Sequence, residues 1–175
     1  MTLMSTTKAY CANEPNARVV PTSINRRPVG PNDVQIRIDH CGVCHTDIHF
    51  VNNDWGMTNY PVVPGHEIVG RVSEVGSAVK NFKPGDRAAI GCLVDSCGVC
   101  GNCEKGLEQY CLNGFTATYN SETSDPGGFT YGGYSTSVVA KESFVLHIPD
   151  SLTGPGIAPL LCAGITTYSP LRKWN

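Results

Sequence analysis

Four cysteines stand at Cys97, Cys100, Cys103 and Cys111, a C-x2-C-x2-C-x7-C spacing. Zinc takes four ligands at tetrahedral corners, and thiolates supply them at ~2.3 Å. A C-x-x-C turn lets two sulfurs converge on one ion, and Gly98, Gly101 and Gly106 relax the backbone where it must wrap. Four thiolates leave no position for water or substrate, so the spacing predicts a closed, structural zinc site that orders a long loop lacking a core of its own. A redox or disulfide loop and an iron–sulfur cluster fit the same spacing. A nucleic-acid-binding finger fits it less well, because the segment carries little basic charge. A second group is scattered: Cys44 in Cys41-Gly42-Val43-Cys44-His45-Thr46-Asp47-Ile48-His49, His66 in Pro64-Gly65-His66-Glu67, and Cys162 at the opening of an apolar stretch. Singly, each has a plain reading, since a buried cysteine is usually a small hydrophobe. Together, two cysteines and one histidine leave a fourth zinc position open, as a catalytic ion requires. Spacing alone does not select these three from five histidines and nine cysteines.

The elements that position such groups follow from composition. A chain of 175 residues and 18.7 kDa suits one domain, or one and a piece. Apolar residues make up 41%, enough for a core, and the 19 glycines and 12 prolines argue for turn-rich β structure over a helical bundle. A net charge of −2 and a pI near 6.2 give no electrostatic case for nucleic acid or an anionic membrane. Met1 to Cys11 has one lysine and no apolar run, so no signal peptide is expected there. The apolar stretch Ile157 to Ile165 is too short for a membrane span and contains Pro159. A reducing, cytoplasmic compartment is then the expectation, where cysteines more often serve metals or catalysis than disulfides. The odd cysteine count points the same way.

Val34 to Asp39 alternates apolar and polar residues, as a half-buried strand does. Ile68 to Val75, Arg87 to Ile90, Ser135 to Ala140 and Phe144 to Ile148 read as further strands, with Phe82-Lys83-Pro84-Gly85-Asp86 a turn. Residues 91–128 show little periodicity and need something other than a ladder to hold them. Strands at this spacing suggest a β-barrel or sandwich. After Pro149 the character changes, and Pro159 to Tyr168 predicts a helix with proline at its start.

Gly65-His66-Glu67-x2-Gly70-x5-Gly76-x2-Val79 matches the zinc-containing alcohol dehydrogenase signature at every fixed position. The chain resembles the medium-chain dehydrogenase/reductase superfamily and, within it, the cinnamyl-alcohol-dehydrogenase-type group of NADP-dependent enzymes. Cys41 to Asp47, Asn59 to Glu67, the four-cysteine loop and Leu160 to Leu171 carry the same resemblance, which runs from about Lys8 onward. It implies a mainly β, GroES-like β-barrel catalytic domain over residues 1–157, with short helices and a zinc loop at 91–128. Residues 158–175 would form a helix leading toward a Rossmann dinucleotide-binding domain.

The resemblance also implies roles. Cys44, His66 and Cys162 hold a catalytic zinc, with Glu67 an outer or transient fourth ligand. Cys97, Cys100, Cys103 and Cys111 hold a structural zinc, making two Zn(2+) per chain. Asp47 orients the ligand histidine. Thr46 and His49 form a relay that carries the alcohol proton to solvent. His45 contacts the coenzyme pyrophosphate, Thr166 approaches the nicotinamide, and Trp55 and Asp54 lie at the pocket edge. Cys11, Cys41 and Cys92 read as buried thiols, and His40 and His147 as structural.

No G-x-G-x-x-G follows a strand in the chain; Gly127-Gly128 and Gly132-Gly133 have the wrong spacing. The family's dinucleotide domain is expected to begin after Asn175, with the segment that returns to complete the barrel. The expectation is therefore the catalytic half of a zinc-dependent oxidoreductase of primary alcohols and aldehydes, a truncated product or incomplete gene model inactive alone. NADP(H) would bind only with the second domain, and full-length relatives would be homodimers. A small alcohol or aldehyde is the expected partner, with no nucleic acid and no membrane. The alternative is a non-catalytic zinc-binding module or regulator of full-length homologues.

Overall fold

The computed structural model describes residues 4–174. The parts of the N-terminal and C-terminal readings that fall on residues 1–3 and 175 lie outside the described residues. The chain opens on an antiparallel hairpin, β1 (Ser5–Cys11) with β2 (Val20–Arg26), in register from Ser5↔Arg26 to Cys11↔Val20. Neither strand is among those read from the sequence. The buried face of β1 is Thr7, Ala9 and Cys11, side chains too small and too weakly apolar to stand out as a period-two pattern.

The main sheet is built on β3 (Asp33–Cys41). It pairs on one side with β4 (Ile68–Val75) and on the other with β8 (Ser137–Lys141). β5 (Arg87–Ile90) and β9 (Leu146–His147) continue the sheet beyond β4, giving the order β8-β3-β4-β5-β9, all antiparallel. Ile68 and Val69 show why β4 is buried on both faces. Ile68 joins Val34, Ile36, Ala88 and Ile90 in the main core, while Val69 meets Ala89, Ile148, Ile157 and Ala158 on the other face. Fully burying such a side chain contributes about 1.5–3 kcal/mol, so these apolar runs dominate the fold. β4 and β5 fall where the sequence places them. The strand expected over Ser135 to Ala140 starts later, at Ser137. The one expected over Phe144 to Ile148 shrinks to two residues, because a 3-10 turn at Glu142–Phe144 closes on the Val145 N–H.

The expected loop at 91–128 has a frame. β6 (Leu93–Asp95) pairs with β7 (Thr116–Ala117), closing the base of the cysteine segment, and 3-10 turns at Cys103–Lys105 and Glu108–Tyr110 shape its interior. The helix expected from residue 158 is two pieces. A 3-10 run, Pro155–Leu161, packs Ile157 and Ala158 beneath β4 and β5. The chain then breaks at Cys162 (φ −128, ψ −76), and an α-helix spans Ala163–Lys173. Pro159 has no N–H to extend a helical ladder through this segment. A shorter α-helix, α1, spans His45–Asn52, which makes the Ala163–Lys173 helix α2. Residues of α2 are largely exposed, including Ile165, Tyr168 and Leu171. No helix among the described residues is long and apolar enough to cross a membrane.

Candidate functional site

β3 ends at Cys41, and three residues later Cys44 caps α1. The sequence His45 to Asn52 is too polar to announce a helix, but Asp47 supplies its start: the Cys44 N–H donates to Asp47 Oδ2 at 2.9 Å. The same buried carboxylate accepts the Gly65 N–H on Oδ1 at 3.0 Å and the Tyr134 hydroxyl on Oδ2 at 3.2 Å. A buried charge is tolerable only with donors of this kind. Asp47 therefore ties Cys44 to Gly65, the residue before His66. Its three bonds go to the backbone at Cys44 and Gly65 and to the Tyr134 hydroxyl, and none to the His66 ring.

The sulfur, nitrogen and carboxylate atoms that Cys44, His66, Glu67 and Cys162 offer a metal all lie within 4.8 Å of one another. The Cys44 and Cys162 sulfurs are 3.8 Å apart across 118 positions of sequence. That separation suits two corners of a tetrahedron around an ion with sulfurs at ~2.3 Å. His66 Nε2 and Glu67 Oε2 are buried without a hydrogen-bond partner. Orphaned atoms of this kind are rare in folded proteins and call for an occupant. Burial lowers the pKa of His66, keeping the neutral imidazole that a metal needs. Burial, and then the nearby Asp47, raises that of Glu67. Two glycines make the space. Gly65 (φ +103) turns the chain where a Cβ would meet Cys41 Sγ and the Tyr134 ring, and a Cβ on Gly42 would run into the Glu67 carboxylate. The donor set, the sulfur spacing and the two orphaned atoms fit a zinc ion.

Cys97, Cys100, Cys103 and Cys111 also converge, with all four sulfurs within 4.8 Å. Individual separations are 3.5 Å for Cys100–Cys103, 3.9 Å for Cys97–Cys103 and 4.0 Å for Cys100–Cys111. The Leu112 N–H reaches Cys100 Sγ at 3.4 Å. The Cys103 N–H, and then the Leu112 N–H, bring the pKa of the Cys100 thiol down to about 6. Backbone donors aimed at sulfur favour the thiolate that zinc takes up. All nine cysteines are free thiols. Cys92, without a role in the sequence reading, sits beside Cys162, and burial raises its thiol.

The relay candidates sit on α1. His49 Nδ1 is 2.7 Å from Asp54 Oδ2, and the His49 ring lies 4.8 Å from both His45 and Trp55. Asp54 is thus the partner of His49. Thr46 stands half-buried on α1, and its hydroxyl makes no hydrogen bond among the described residues. Trp55 is half exposed, edge-on to Phe50. His45 is exposed on α1, and Thr166 is exposed on α2 with its N–H on the Cys162 carbonyl at 2.9 Å. Four residues at the site were not singled out from the sequence for what they do here: Gly42, Tyr119, Tyr134 and Asp54. Only Asp54, five residues from His49, carried a signal close enough in sequence to be found.

Residues 30–150 match the family described as the alcohol dehydrogenase GroES-like domain. The chain is 57% identical over 173 residues to the NADP-dependent alcohol dehydrogenase C 1 of Mycolicibacterium smegmatis, covering 98% of this chain and 49% of that protein. It is 54% identical over 170 residues to the aldehyde reductase YahK of Escherichia coli, covering 95% and 47%. Among solved structures, a cinnamyl alcohol dehydrogenase from Sorghum bicolor superposes with a TM-score of 0.93 at 43% identity, over 97% of this chain and 48% of that one. The CAD from Helicobacter pylori complexed with NADP(H) gives 0.91 at 39% identity, over 98% and 49%. The chain spans about half the length of the curated relatives it matches. The family match runs through Cys44, His66, Glu67 and the four-cysteine loop, every donor of both sets except Cys162, and on that ground the chain belongs to the alcohol dehydrogenase GroES-like domain family.

Proposed function

We propose that this chain is the catalytic portion of a zinc-dependent oxidoreductase that interconverts primary alcohols and aldehydes, with NADP(H) as the hydride partner. One observation carries the reading: a convergent Cys44–His66–Cys162 set beside Glu67, with His66 Nε2 and Glu67 Oε2 buried without hydrogen-bond partners, in a chain whose relatives are named NADP-dependent alcohol dehydrogenases. Cys44, His66 and Cys162 would hold the catalytic ion, with Glu67 behind them, and the four-cysteine loop a second, structural ion. Zinc in the open site supplies a Lewis acid that makes an alcohol hydroxyl more acidic or polarises a carbonyl.

The chain's own residues then handle position and proton. Asp47 locks the backbone on both sides of the ligand pair. The Thr46 hydroxyl can accept one proton while donating another. His49, with Nδ1 on the Asp54 carboxylate, presents Nε2 as the acceptor. Its half-exposed ring opens the relay to solvent. His45 and Thr166 would face the coenzyme and Trp55 the substrate, a small alcohol or aldehyde. A cytoplasmic location and a homodimer of the full-length protein belong to the same reading.

The test joins this chain to the C-terminal half of the 57%-identical relative. The chimera is expected to reduce aldehydes with NADPH, and Cys162→Ser to abolish turnover. A chimera that carries both ions and turns over no aldehyde would support the second reading, a non-catalytic zinc module docking through the exposed apolar side chains of α2.

A further inference from the structure

Tyr119 is 4% exposed and lies just beyond β7, where the chain leaves the cysteine loop. Its ring is parallel to the His66 imidazole, 3° between planes and 5.6 Å between centroids. Phe50 meets it edge-on at 5.0 Å and 77°. The backbone on either side is pinned. The Thr118 N–H donates to the Cys92 carbonyl at 3.0 Å, the Asn120 N–H to the Thr130 carbonyl at 2.9 Å, and the Asn59 N–H to Asn120 Oδ1 at 2.7 Å. The Tyr119 hydroxyl is buried without a hydrogen-bond partner and is held protonated by that burial and by the charge of Asp47.

A metal-binding histidine usually donates its second ring N–H to a carboxylate or carbonyl, which fixes the plane of the ring. The hydrogen bonds of Asp47 go to Cys44, Gly65 and Tyr134, and its charge acts on the His66 ring without a hydrogen bond to it among the described residues. Histidine χ2 is a broad torsion, so an unbonded ring has no orientation of its own. The parallel face of Tyr119 is a contact that can set it.

We propose that Tyr119 is a positioning residue for His66: its stacked ring, anchored at the exit of the cysteine loop, holds the imidazole in the plane that aims Nε2 at Cys44, Glu67 and Cys162. The inference rests on the reading that this set holds a metal. It also gives the four-cysteine loop a reason to be ordered, since the strand pair that closes the loop delivers Tyr119.

The test is cobalt(II) titration of the purified chain, in which a four-thiolate site and a two-thiolate–imidazole site give different visible spectra. Tyr119→Leu is expected to weaken the Cys44–His66–Cys162 site by about 10- to 100-fold, with the four-thiolate site unchanged. Tyr119→Phe, which keeps the face, should restore wild-type affinity. Should Tyr119→Leu lose both spectra by misfolding, Tyr119→Met, a flexible side chain without a flat face, takes its place. In the wild type, His66 ring protons should lie upfield of ordinary histidine, shifted by the stacked phenol. Wild type binding cobalt only at the four thiolates would remove the metal reading and the inference with it. Wild type binding at both sites, with Tyr119→Leu or Tyr119→Met of unchanged affinity or with no upfield shift, would overturn the inference alone.

Discussion

Asp47 Oδ1 accepts the Gly65 N–H at 3.0 Å across 18 positions of sequence, and through it the segment carrying Cys44 is fastened to the segment carrying His66. Asp47→Asn puts an NH2 where one of three donors now points. One buried N–H or hydroxyl is then left facing a donor. The expected cost is roughly 1–3 kcal/mol of stability, read by urea unfolding of the metal-free chain, together with weaker metal binding at the Cys44–His66–Cys162 set.

Gly42 and Glu67 should be coupled. A Cβ at 42 runs into the Glu67 carboxylate, so Gly42→Ala must displace it. A loss of about 1–3 kcal/mol is expected from the overpacking. Adding Glu67→Ala removes the colliding atoms, and most of that loss should return. A double-mutant cycle measures the coupling; additive costs would show that the two residues do not compete for the space.

The four-cysteine loop should depend on its ion. Cys100→Ser removes the sulfur nearest to Cys103 and the acceptor of the Leu112 N–H. Limited proteolysis is expected to cut the variant between Cys97 and Cys111 while wild type resists, since metal binding supplies order that this stretch has no core to provide. The pairing of β6 with β7 at the base should survive, leaving the rest of the chain protected.

Glu142 offers a pH test away from the metals. Its Oε1 accepts the Lys80 N–H at 2.9 Å and the Asn81 N–H at 2.5 Å, and the Asn81 N–H is the main cause holding its carboxyl below the ordinary 4.5. A carboxyl more acidic folded than unfolded contributes stability above its unfolded value and loses it as pH falls through the folded one. Glu142→Gln should therefore be less stable than wild type at pH 7, with the gap closing as pH drops below 4.5. Thermal unfolding across that range checks it.

Much of this was legible in the residues, for identifiable reasons. β4 and β5 can be read directly because Ile68, Val69, Ala88, Ala89 and Ile90 serve cores on both faces. The hairpin of β1 and β2 is hidden because its inward residues are small, and α1 because its N-cap is a cysteine, Cys44, with the capping bond supplied by Asp47 inside the helix. The four-cysteine site is written in local spacing. Cys44 and Cys162 are not, since their sulfurs meet across 118 residues; only the resemblance selects them. The Tyr134–Asp47 bond spans 87 residues, and it and the Tyr119–His66 stack are products of tertiary folding that no local pattern encodes.

The measurement that bears most directly on the account is zinc per chain in the purified protein. Wild type is expected to hold two ions, the Cys44→Ser/Cys162→Ser variant one, and that variant to keep its four-thiolate cobalt spectrum. A wild-type chain holding one zinc or none, or a double variant that still holds two, would contradict the account.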